Sequence, residues 1–419
     1  MKLPWHSFFR SSLFHAGRSR RSPARKIQAV VCGGAFWGGA LGFAGAAELP
    51  KPLFSESLDS LQPGTPDTTL SATALGPGKF AQAVLIERAA INLLAAADFP
   101  NVIDGAWKSE HGVVWEASET RIDGQEGAMR IPSGGILRQT VGRLKPKTAY
   151  CFSVYARSAD GKPAKFALEW EGSEEKEVKE GEVGRDWQRF WVGGRALGGN
   201  ATPTIRGLSG TVLVERPQFE AWGPLPSSYV LKGLRRAGGL VWKSTSITAP
   251  LLDGSQGTFS FWIKPLWAGQ TTDLIADLFS AFHDPSEPWK TARSAMAFRA
   301  YLGKPDAKDW RYSMTLTIRD QEGTTRIFSI PAQGLTPEWH HLAISWNFSN
   351  PGEAWVAGYL DGRQAFRSEA SGLRGMKGFH QIAFGDPEGA SLGGWLDEVA
   401  IYGVALDAEA IQQLARPSP

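Results

Sequence analysis

Cysteine is almost absent from this sequence, since only two of its 419 residues are cysteines. Cys32 lies in an uncharged N-terminal stretch, and Cys151 lies in the segment YCFSVYA. No CxxC pair occurs, which excludes zinc knuckles of that type as well as a fold held together by several disulfides. We expect Cys151 to point into the core of a sheet as a small hydrophobic residue.

The sequence also lacks the phosphate-binding loops of nucleotide enzymes, because neither GxxxxGK[ST] nor GxGxxG occurs in the required strand–helix context. A strongly basic character is missing as well. The formal net charge is +3, but residues 1–46 carry seven basic residues and no acidic one. The remainder has 38 basic against 42 acidic residues, a net charge of −4. This balance gives no reason to expect a nucleic acid as a partner.

The N-terminal segment has the order of a secretory signal. A basic stretch at 17–26 is followed by uncharged residues at 27–47, with small residues at 44–46. Residues 1–46 are therefore predicted to be a signal peptide that is removed on export. An uncleaved anchor is the alternative, because the uncharged stretch is long enough to span a bilayer, and only then is a membrane a partner. Export predicts a secreted, periplasmic or cell-surface protein.

Helical patterns are scarce, and short strand patterns bounded by Gly, Pro, Asp and Asn fill most of the chain. They predict an all-β protein with two antiparallel β-sandwich or jelly-roll domains in tandem. The predicted domains are residues 79–232 and 233–419, preceded by a Pro/Ser/Thr/Gly-rich linker at 47–78. One short C-terminal helix is predicted at 407–416, with Asp407 as its N-cap.

Four motifs of the C-terminal half occur in a characteristic order: TFSFWIKP, WHHLAISW, GYLDG and GWLDEVAIYGVALDAEAI. In order and spacing they resemble the laminin-G-like, concanavalin-A-like jelly roll over about 180 residues. The N-terminal half has a looser likeness, carried by VLIERAAINLL, YCFSVYARS, DWQRFWV and VERPQFEAWGPLPSSYV. It is similar to the carbohydrate-binding-module jelly roll of bacterial exported and phage-tail proteins. Both resemblances imply recognition of sugars or of extracellular proteins.

Two adjacent histidines, His340 and His341, lie in the strand pattern EWHHLAISWN. Successive strand residues point to opposite faces of a sheet, so the pair cannot easily chelate one metal ion. The i, i+4 spacing of helical zinc sites is also missing. The resemblance agrees, because this strand is a framework strand in laminin-G-like domains. We therefore interpret the histidines as structural.

Catalytic patterns are missing as well. Glycosidases with a concanavalin-A-like fold place two carboxylates on one strand face with ExDxxE-like spacing, and no such string occurs. No GxSxG nucleophile elbow occurs either. The sequence therefore predicts a protein that is not an enzyme, although a glycoside hydrolase or lyase with an unrecognised, dispersed site remains an alternative.

A calcium ion is the cofactor that the resemblance implies, since many jelly rolls of both kinds hold one through loop oxygen atoms. The candidate ligands lie at strand ends or where the chain enters and leaves the first domain. For Asp397 the alternative stays open that its carboxylate accepts hydrogen bonds from neighbouring backbone N–H groups. The candidates are Asp277, Asp386 and Asp397 in the second domain and Asn92, Asp98 and Glu220 in the first.

Tryptophan is abundant, with 17 residues. Sugar rings stack their C–H faces on aromatic rings, while their hydroxyls bind nearby polar groups. Trp187 and Trp191 are four residues apart, so in a strand they share one face with Arg189. The alternative is that the tryptophans are core and rim residues. The carbohydrate-binding candidates are Trp115, Trp170, Trp191 and Trp222 in the first domain and Trp267, Trp289 and Trp310 in the second.

These patterns favour an exported, non-catalytic recognition protein whose partner is a glycan or a glycosylated surface. A structural or adhesive protein that binds an extracellular protein through its laminin-G-like domain is the alternative from a different class. Binding to a glycan array, lost on substitution of an exposed tryptophan, separates the two.

Overall fold

The computed structural model describes residues 49–416 except for 57–67, 72–73, 98, 100–104, 123, 232, 245–249, 269–273, 284–293, 303–312, 321, 332–334, 351, 374–375, 377 and 386–391. These residues form 27 β-strands and one α-helix, which confirms the predicted all-β class. Within the described ranges, no helix is long and apolar enough to cross a membrane.

The strands are short and follow one another with few interruptions. The chain begins with β1 (Phe54–Glu56), β2 (Thr68–Ser71), β3 (Leu75–Pro77), β4 (Gln82–Ile86) and β5 (Ala90–Ile91). It continues with β6 (Lys108–Glu110), β7 (Val114–Thr120), β8 (Glu126–Pro132), β9 (Ile136–Arg138), β10 (Ala149–Ser158), β11 (Ala164–Glu171), β12 (Val178–Val183), β13 (Gln188–Arg195), β14 (Thr202–Ser209) and β15 (Thr211–Ala221). It ends with β16 (Leu234–Arg235), β17 (Gly239–Lys243), β18 (Gln256–Pro265), β19 (Leu274–Phe282), β20 (Met296–Leu302), β21 (Ser313–Arg319), β22 (Thr325–Pro331), β23 (His340–Asn347), β24 (Trp355–Leu360), β25 (Arg363–Glu369), β26 (Gln381–Phe384), β27 (Gly394–Tyr402) and the helix α1 (Ala408–Leu414).

Strands β6–β15 form the first sandwich. One of its sheets has the order β13-β10-β15-β8-β7 and the other the order β12-β11-β14-β9-β6, with antiparallel pairing throughout. We call the face of a sheet that points toward its partner sheet the inner face, and the opposite one the outer face. The inner faces enclose one hydrophobic core, in which Phe152, Phe166 and Phe219 are fully buried.

Alternation along β10 separates the two faces of its sheet. Phe152 and Val154 belong to the core between the sheets, whereas Ser153 and Tyr155 lie on the outer face. Cys151 is buried as predicted, but it lies on the outer side, paired in register with Glu220 of β15 rather than in the core. Burial raises the pKa of its thiol well above the ordinary value, so this cysteine is inert at neutral pH.

The second sandwich is larger. One sheet has the order β25-β24-β23-β18-β27-β4-β3, with β1 also paired to β27, and the other has the order β2-β17-β26-β19-β20-β21-β22. The core between them is rich in phenylalanine, and Phe259 and Phe279 approach within 4.7 Å between ring centroids. The four sequence motifs correspond to β18, β23, β24 with the turn after it, and β27. These four strands all lie in one sheet.

The N-terminal segment corrects the predicted linker and domain boundary. Strands β1 and β3, within the predicted linker 47–78, pair with β27 and β4, and β2 pairs with β17. In addition, Val84 and Ile86 of β4 lie in the core of the second sandwich. From β1 onward, the chain therefore contributes first to the second sandwich, then forms the first one, and then returns to the second. Composition missed this because strand pairing uses backbone groups, which a polar segment also offers.

A hydrogen-bonded network joins the two crossings between the sandwiches. Glu87 accepts a hydrogen bond from the Ser228 backbone N–H at 2.8 Å and pairs with the Arg235 guanidinium. The adjacent Arg88 lies 3.0 Å from the Glu220 carboxylate and donates to the Ala221 carbonyl at 2.7 Å. The entry and exit segments are thus tied to each other and to β15.

Helix α1 follows its predicted signals. The side chain of Asp407 accepts a hydrogen bond from the Ala410 backbone N–H at 2.9 Å, which confirms it as the N-cap. Ile411 is fully buried in a small cluster with Tyr359 and Tyr402. The helix therefore covers part of the outer face of the sheet that contains β23, β24 and β27.

Candidate functional site

The adjacent histidines are both held by the hairpin that follows them. The Thr336 backbone N–H donates to His340 Nε2 at 3.0 Å, so the proton lies on Nδ1, which donates to Asp361 at 2.9 Å. The His341 backbone N–H donates to the other carboxylate oxygen of Asp361, also at 2.9 Å. Although partial burial acts against it, these hydrogen bonds hold the pKa of Asp361 below its ordinary value.

The side chain of His341 lies on the outer face, where its Nε2 is 2.9 Å from the Ser260 hydroxyl. Its Nδ1 has no hydrogen-bond partner among the described residues, and burial lowers the pKa of His341 to about 4. A serine beside a neutral histidine has the composition of a nucleophile and its base, but Ser260 and His341 are 3% and 0% exposed. No substrate carbonyl can reach this pair, so it is a structural contact.

The carboxylates of the second sandwich already have protein partners. Asp277 lies 2.6 Å from Arg299 Nε, and burial raises its pKa although Arg299 opposes this. Asp397 accepts backbone hydrogen bonds from Lys79 at 2.7 Å, Phe80 at 3.3 Å and Glu398 at 2.9 Å. This is the alternative that the sequence left open for Asp397. Asp386 lies outside the described residues.

The candidate ligands of the first sandwich are also engaged. The Asn92 side-chain oxygen accepts from the backbone N–H groups of Leu94 at 3.2 Å and Phe219 at 3.1 Å. Glu220 is fully buried and pairs with Arg88, while the Ser227 backbone N–H donates to it at 2.8 Å. Asp98 lies outside the described residues. Within the described ranges, no group of three or more His, Cys, Asp or Glu side chains is placed to hold a metal ion.

Two predicted sugar platforms are buried instead. Trp170 is 3% exposed and packs against the Tyr150 and Phe219 rings. Trp267 is 1% exposed, and its indole N–H donates to the Leu392 carbonyl at 2.8 Å. Neither ring can offer a face to a sugar, which corrects both predictions. Trp267 misled because it follows directly after a strand, where a loop was expected. Trp289 and Trp310 lie outside the described residues.

Two other candidates keep some exposure. Trp115 packs against the first core, lies over Gly127 and has the Arg121 guanidinium 5.4 Å from its ring centroid. A Cβ at Gly127 would meet the Trp115 ring at 2.0 Å, so only glycine allows this contact. Trp222 is 47% exposed and has a φ of 71°, an unusual conformation for a bulky residue. Trp115 is thus mainly a packing residue, and Trp222 is an isolated exposed ring.

The outer face along β13 and β10 brings several functional side chains together. Trp191 is opposite Ser153, and Arg189 is opposite Tyr155 in register, with its guanidinium carbon 5.3 Å from the tyrosine ring centroid. At the end of the row, Arg157 lies 5.1 Å over the ring of Trp187. We call this set the aromatic strip: Trp187, Arg189 and Trp191 on and before β13, with Tyr155 and Arg157 on β10.

Trp191 differs from the other tryptophans of the strip and the cores. It is partly exposed, and its indole has no aromatic, cationic or hydrogen-bond partner in the described part of the chain. Its neighbour across the strands is the small Ser153, whose hydroxyl accepts a hydrogen bond from Arg189 Nη2 at 3.0 Å. A partly exposed indole on a β-sheet, beside an oriented guanidinium, is suited to stack on the C–H face of a sugar.

The two arginines of the strip have different electrostatic environments. Arg157 forms an ion pair with Glu119 at 2.6 Å, which neutralises its charge locally. Arg189 forms no ion pair within the described residues, and its Nε is buried without a hydrogen-bond partner. Across the sheet, Glu215 is two strands away beyond Tyr155, and it lies 3.8 Å from Arg121.

The sequence identified part of this site. It placed Trp187, Arg189 and Trp191 on one strand face, which the structure shows, but it did not connect them with β10. Tyr155 and Arg157 were missed as site residues, although the alternation of YCFSVYARS already placed Tyr155 opposite to the core side. The missing information was the register of β10 against β13.

Residues 243–412 match a laminin G family model described as the concanavalin A-like lectin/glucanases superfamily, which confirms the resemblance of the C-terminal half. No curated protein matches the chain in sequence.

Known structures resemble it at low identity. The ligand-binding domain of botulinum neurotoxin serotype D, solved with N-acetylneuraminic acid, is 13% identical with a TM-score of 0.33, covering 43% of this chain and 40% of that chain. A SAP-like heptameric pentraxin from Limulus polyphemus is 16% identical with a TM-score of 0.29, covering 39% of this chain and 72% of that chain. The alignment thus spans less than half the length of the neurotoxin domain.

Proposed function

We propose that this chain is an exported, non-catalytic recognition protein that binds carbohydrate through the aromatic strip of the first sandwich. The observation that carries the proposal is the environment of Trp191. Its partly exposed indole has no partner of its own within the described residues, whereas Trp170, Trp267 and Trp346 are packed in cores. An aromatic ring outside both hydrophobic cores, on a partly exposed sheet face, is a candidate for ligand binding.

The neighbours of Trp191 supply the polar half of such a site. The Ser153 hydroxyl fixes the orientation of the Arg189 guanidinium, and Tyr155 supports it from the next strand at 5.3 Å. A sugar stacked on Trp191 would thus meet oriented N–H donors for its hydroxyl oxygens. Because Ser153 and Tyr155 hold the Arg189 side chain in one orientation before a ligand binds, less conformational entropy is lost on binding.

The family match supports binding by the second half of the chain as well, in the general sense that its description includes lectins. A non-catalytic role is favoured because the Ser260–His341 pair is buried and the described carboxylates singled out above are held by Arg or backbone N–H groups. Export rests on the signal-like order of residues 1–46. A calcium ion stays a prediction, with loops rather than the described carboxylates as its place.

The test is a glycan array probed with the purified protein and with Trp191→Ala. We expect binding of wild type to a defined set of glycans and a loss of about 2 kcal/mol, roughly thirtyfold in affinity, in the variant. Trp355→Ala is the matched control, because Trp355 is also partly exposed but lies on the second sandwich, stacked with Arg367 at 3.9 Å. It should bind like wild type.

The outcome that contradicts the proposal is equally specific. Absence of glycan binding, together with saturable binding of an extracellular protein that survives Trp191→Ala, would favour the adhesive alternative. Binding lost equally in Trp191→Ala and Trp355→Ala would move the site away from the aromatic strip. Release of reducing ends from a bound glycan would show that the protein is a hydrolase.

A further inference from the structure

We infer that the aromatic strip selects acidic sugars, meaning glycans with a carboxylate on the ring that stacks on or next to Trp191. The inference rests on the proposed function and deepens it. Its basis is a charge that the described protein does not balance: Arg189 lies in the middle of the strip, and its only hydrogen bond there is to the neutral Ser153 hydroxyl.

The comparison with Arg157 shows that the missing counter-ion is a feature of Arg189 and not of every arginine on this face. Both arginines lie on the same outer face, and each lies over an aromatic ring at just over 5 Å. Arg157 donates to the Glu119 carboxylate at 2.6 Å, whereas Arg189 has no carboxylate partner within the described residues. A guanidinium that is partly removed from water and has no counter-ion favours binding of an anion.

The geometry of the guanidinium defines what kind of anion suits it. One N–H of Nη2 donates to Ser153 and Nε is buried, so Nη1 and the second N–H of Nη2 are the donors left for a ligand. Tyr155 supports one side of the guanidinium plane, which holds it on the sheet surface. A single carboxylate oxygen can therefore be bound at the level of the aromatic rings, where a uronic or other carboxylated sugar places it when its ring stacks on Trp191.

The surroundings do not cancel this charge. Glu215 pairs with Arg121 and is fully buried, and Tyr155 lies between it and Arg189. Glu220 pairs with Arg88 on the far side of Ser153 and Cys151. Among the described residues, the Arg189 charge thus has no counter-ion and lies beside the partly exposed Trp191 indole, which is the combination expected for an acidic sugar rather than a neutral one.

The experiment compares matched sugars. Oligosaccharides containing galacturonate, glucuronate, mannuronate or N-acetylneuraminate are each immobilised beside their carboxyl-reduced counterparts, and titrated with the purified protein. We expect at least one acid to bind about tenfold or more tightly than its reduced counterpart, since a charge-assisted hydrogen bond contributes that much. The preference should shrink as the salt concentration rises.

Variants assign the preference to its residue. Arg189→Gln should remove the acid-over-neutral preference and weaken binding of the acid more than binding of the reduced sugar. Arg206→Gln is the control, because Arg206 pairs with Glu169 on the other sheet of the first sandwich, outside the strip, and it should keep the preference. Trp191→Ala should weaken both members of each pair. Thermal unfolding of every variant confirms that the fold is intact.

Other outcomes overturn the inference and separate it from the proposed function. Equal binding of acid and reduced sugars, lost in Trp191→Ala, would refute acid selection and keep carbohydrate binding by the strip. An acid preference that survives Arg189→Gln would place the anion site elsewhere. Binding of neither member of any pair, together with a negative glycan array, would refute both.

Discussion

The outer faces of two sheets, one in each sandwich, have similar alternating sequences, but one face is buried and the other is partly exposed. On β18 and β23 of the second sandwich, Ser260, Trp262 and His341 are all less than 7% exposed. On β10 and β13 of the first sandwich, Tyr155 and Trp191 remain partly exposed. Both faces bring a serine next to an aromatic ring: Ser153 is opposite Trp191 in register, and Ser260 lies diagonally across from His341.

The difference lies in what covers each face. In the second sandwich, Phe80 contacts Trp262 edge-on at 5.8 Å, Lys79 lies over the same ring, and Asp397 holds the backbone of both residues. In the first sandwich, covering segments reach the face at Ile122 over Glu215, at Ser227 over Glu220 and at Pro224 over Gly193, and the strip beside them stays partly exposed. A polar-aromatic sheet face becomes a structural contact or a binding surface according to its cover.

The largest expected difference between the two regions is the stability lost when a buried or a partly exposed tryptophan is replaced by alanine. Trp267→Ala should lower the free energy of unfolding by about 3–5 kcal/mol, because it leaves a large cavity in the second core and orphans the Leu392 carbonyl. Trp191→Ala should lower it by less than about 1 kcal/mol, because the indole lies outside both hydrophobic cores and stays partly exposed. Urea unfolding followed by circular dichroism measures both.

A similar loss of stability in the two variants would mean that Trp191 is a packing residue, and the aromatic strip would lose its main argument. Trp191→Phe serves as a control, since it keeps an aromatic ring and should change stability even less.

The next effect concerns the cover of the second sandwich. Asp397→Ala should lower the free energy of unfolding by about 2–4 kcal/mol, because three backbone N–H groups lose a charged acceptor. The Lys79–Phe80 turn should then detach and expose Trp262. Hydrogen exchange at residues 78–81 and quenching of tryptophan fluorescence by acrylamide would report this.

Asp397→Asn, which keeps one carbonyl acceptor, should give an intermediate result. Unchanged exchange at residues 78–81 in Asp397→Ala would show that the ring contacts, and not the carboxylate, hold the cover in place.

The smallest effect depends on pH. His341 is neutral in the fold because burial lowers its pKa to about 4, while the unfolded chain binds a proton near the ordinary pKa of 6.5. Its contribution to stability is complete above pH 6.5 and is lost as the pH falls toward 4. We expect a loss of about 2 kcal/mol between pH 7 and pH 5 from this residue.

Unfolding of wild type and His341→Gln across this range isolates the contribution. The Gln variant should have a flatter pH dependence between 7 and 5, since Asp361, with its lowered pKa, titrates below this window. Parallel curves for the two proteins would show that the imidazole is solvated and charged in the fold.

Local patterns predicted local elements well. The Asp361-Gly362 hairpin has positive φ at both residues, as its sequence requires, and Asp407 caps the helix that it was expected to cap. Alternation also predicted that His340 and His341 point to opposite faces, and the resemblance implied a framework role for their strand. These features depend on a few neighbouring residues, so the sequence contains all the information they need.

Features that depend on distant residues were not accessible in the same way. The pairing of β1 and β4 with β27 joins residues more than 300 positions apart, and the polar composition of 47–78, which contains β1, did not indicate it. Burial of Trp170 and Trp267 and exposure of Trp191 could not be distinguished, because each occurs in or beside an aromatic strand pattern.

The sequence by itself determined the all-β class, the alternation of each strand, the turns and the helix cap, since these follow from backbone preferences and nearby side chains. Only the tertiary structure decided which faces are covered, since a carboxylate such as Asp397 acts on a turn at the other end of the chain. It also decided that Glu119 neutralises Arg157 and that no described carboxylate does so for Arg189. Charge balance is a property of contacts, and contacts depend on the register of strands that the sequence does not state.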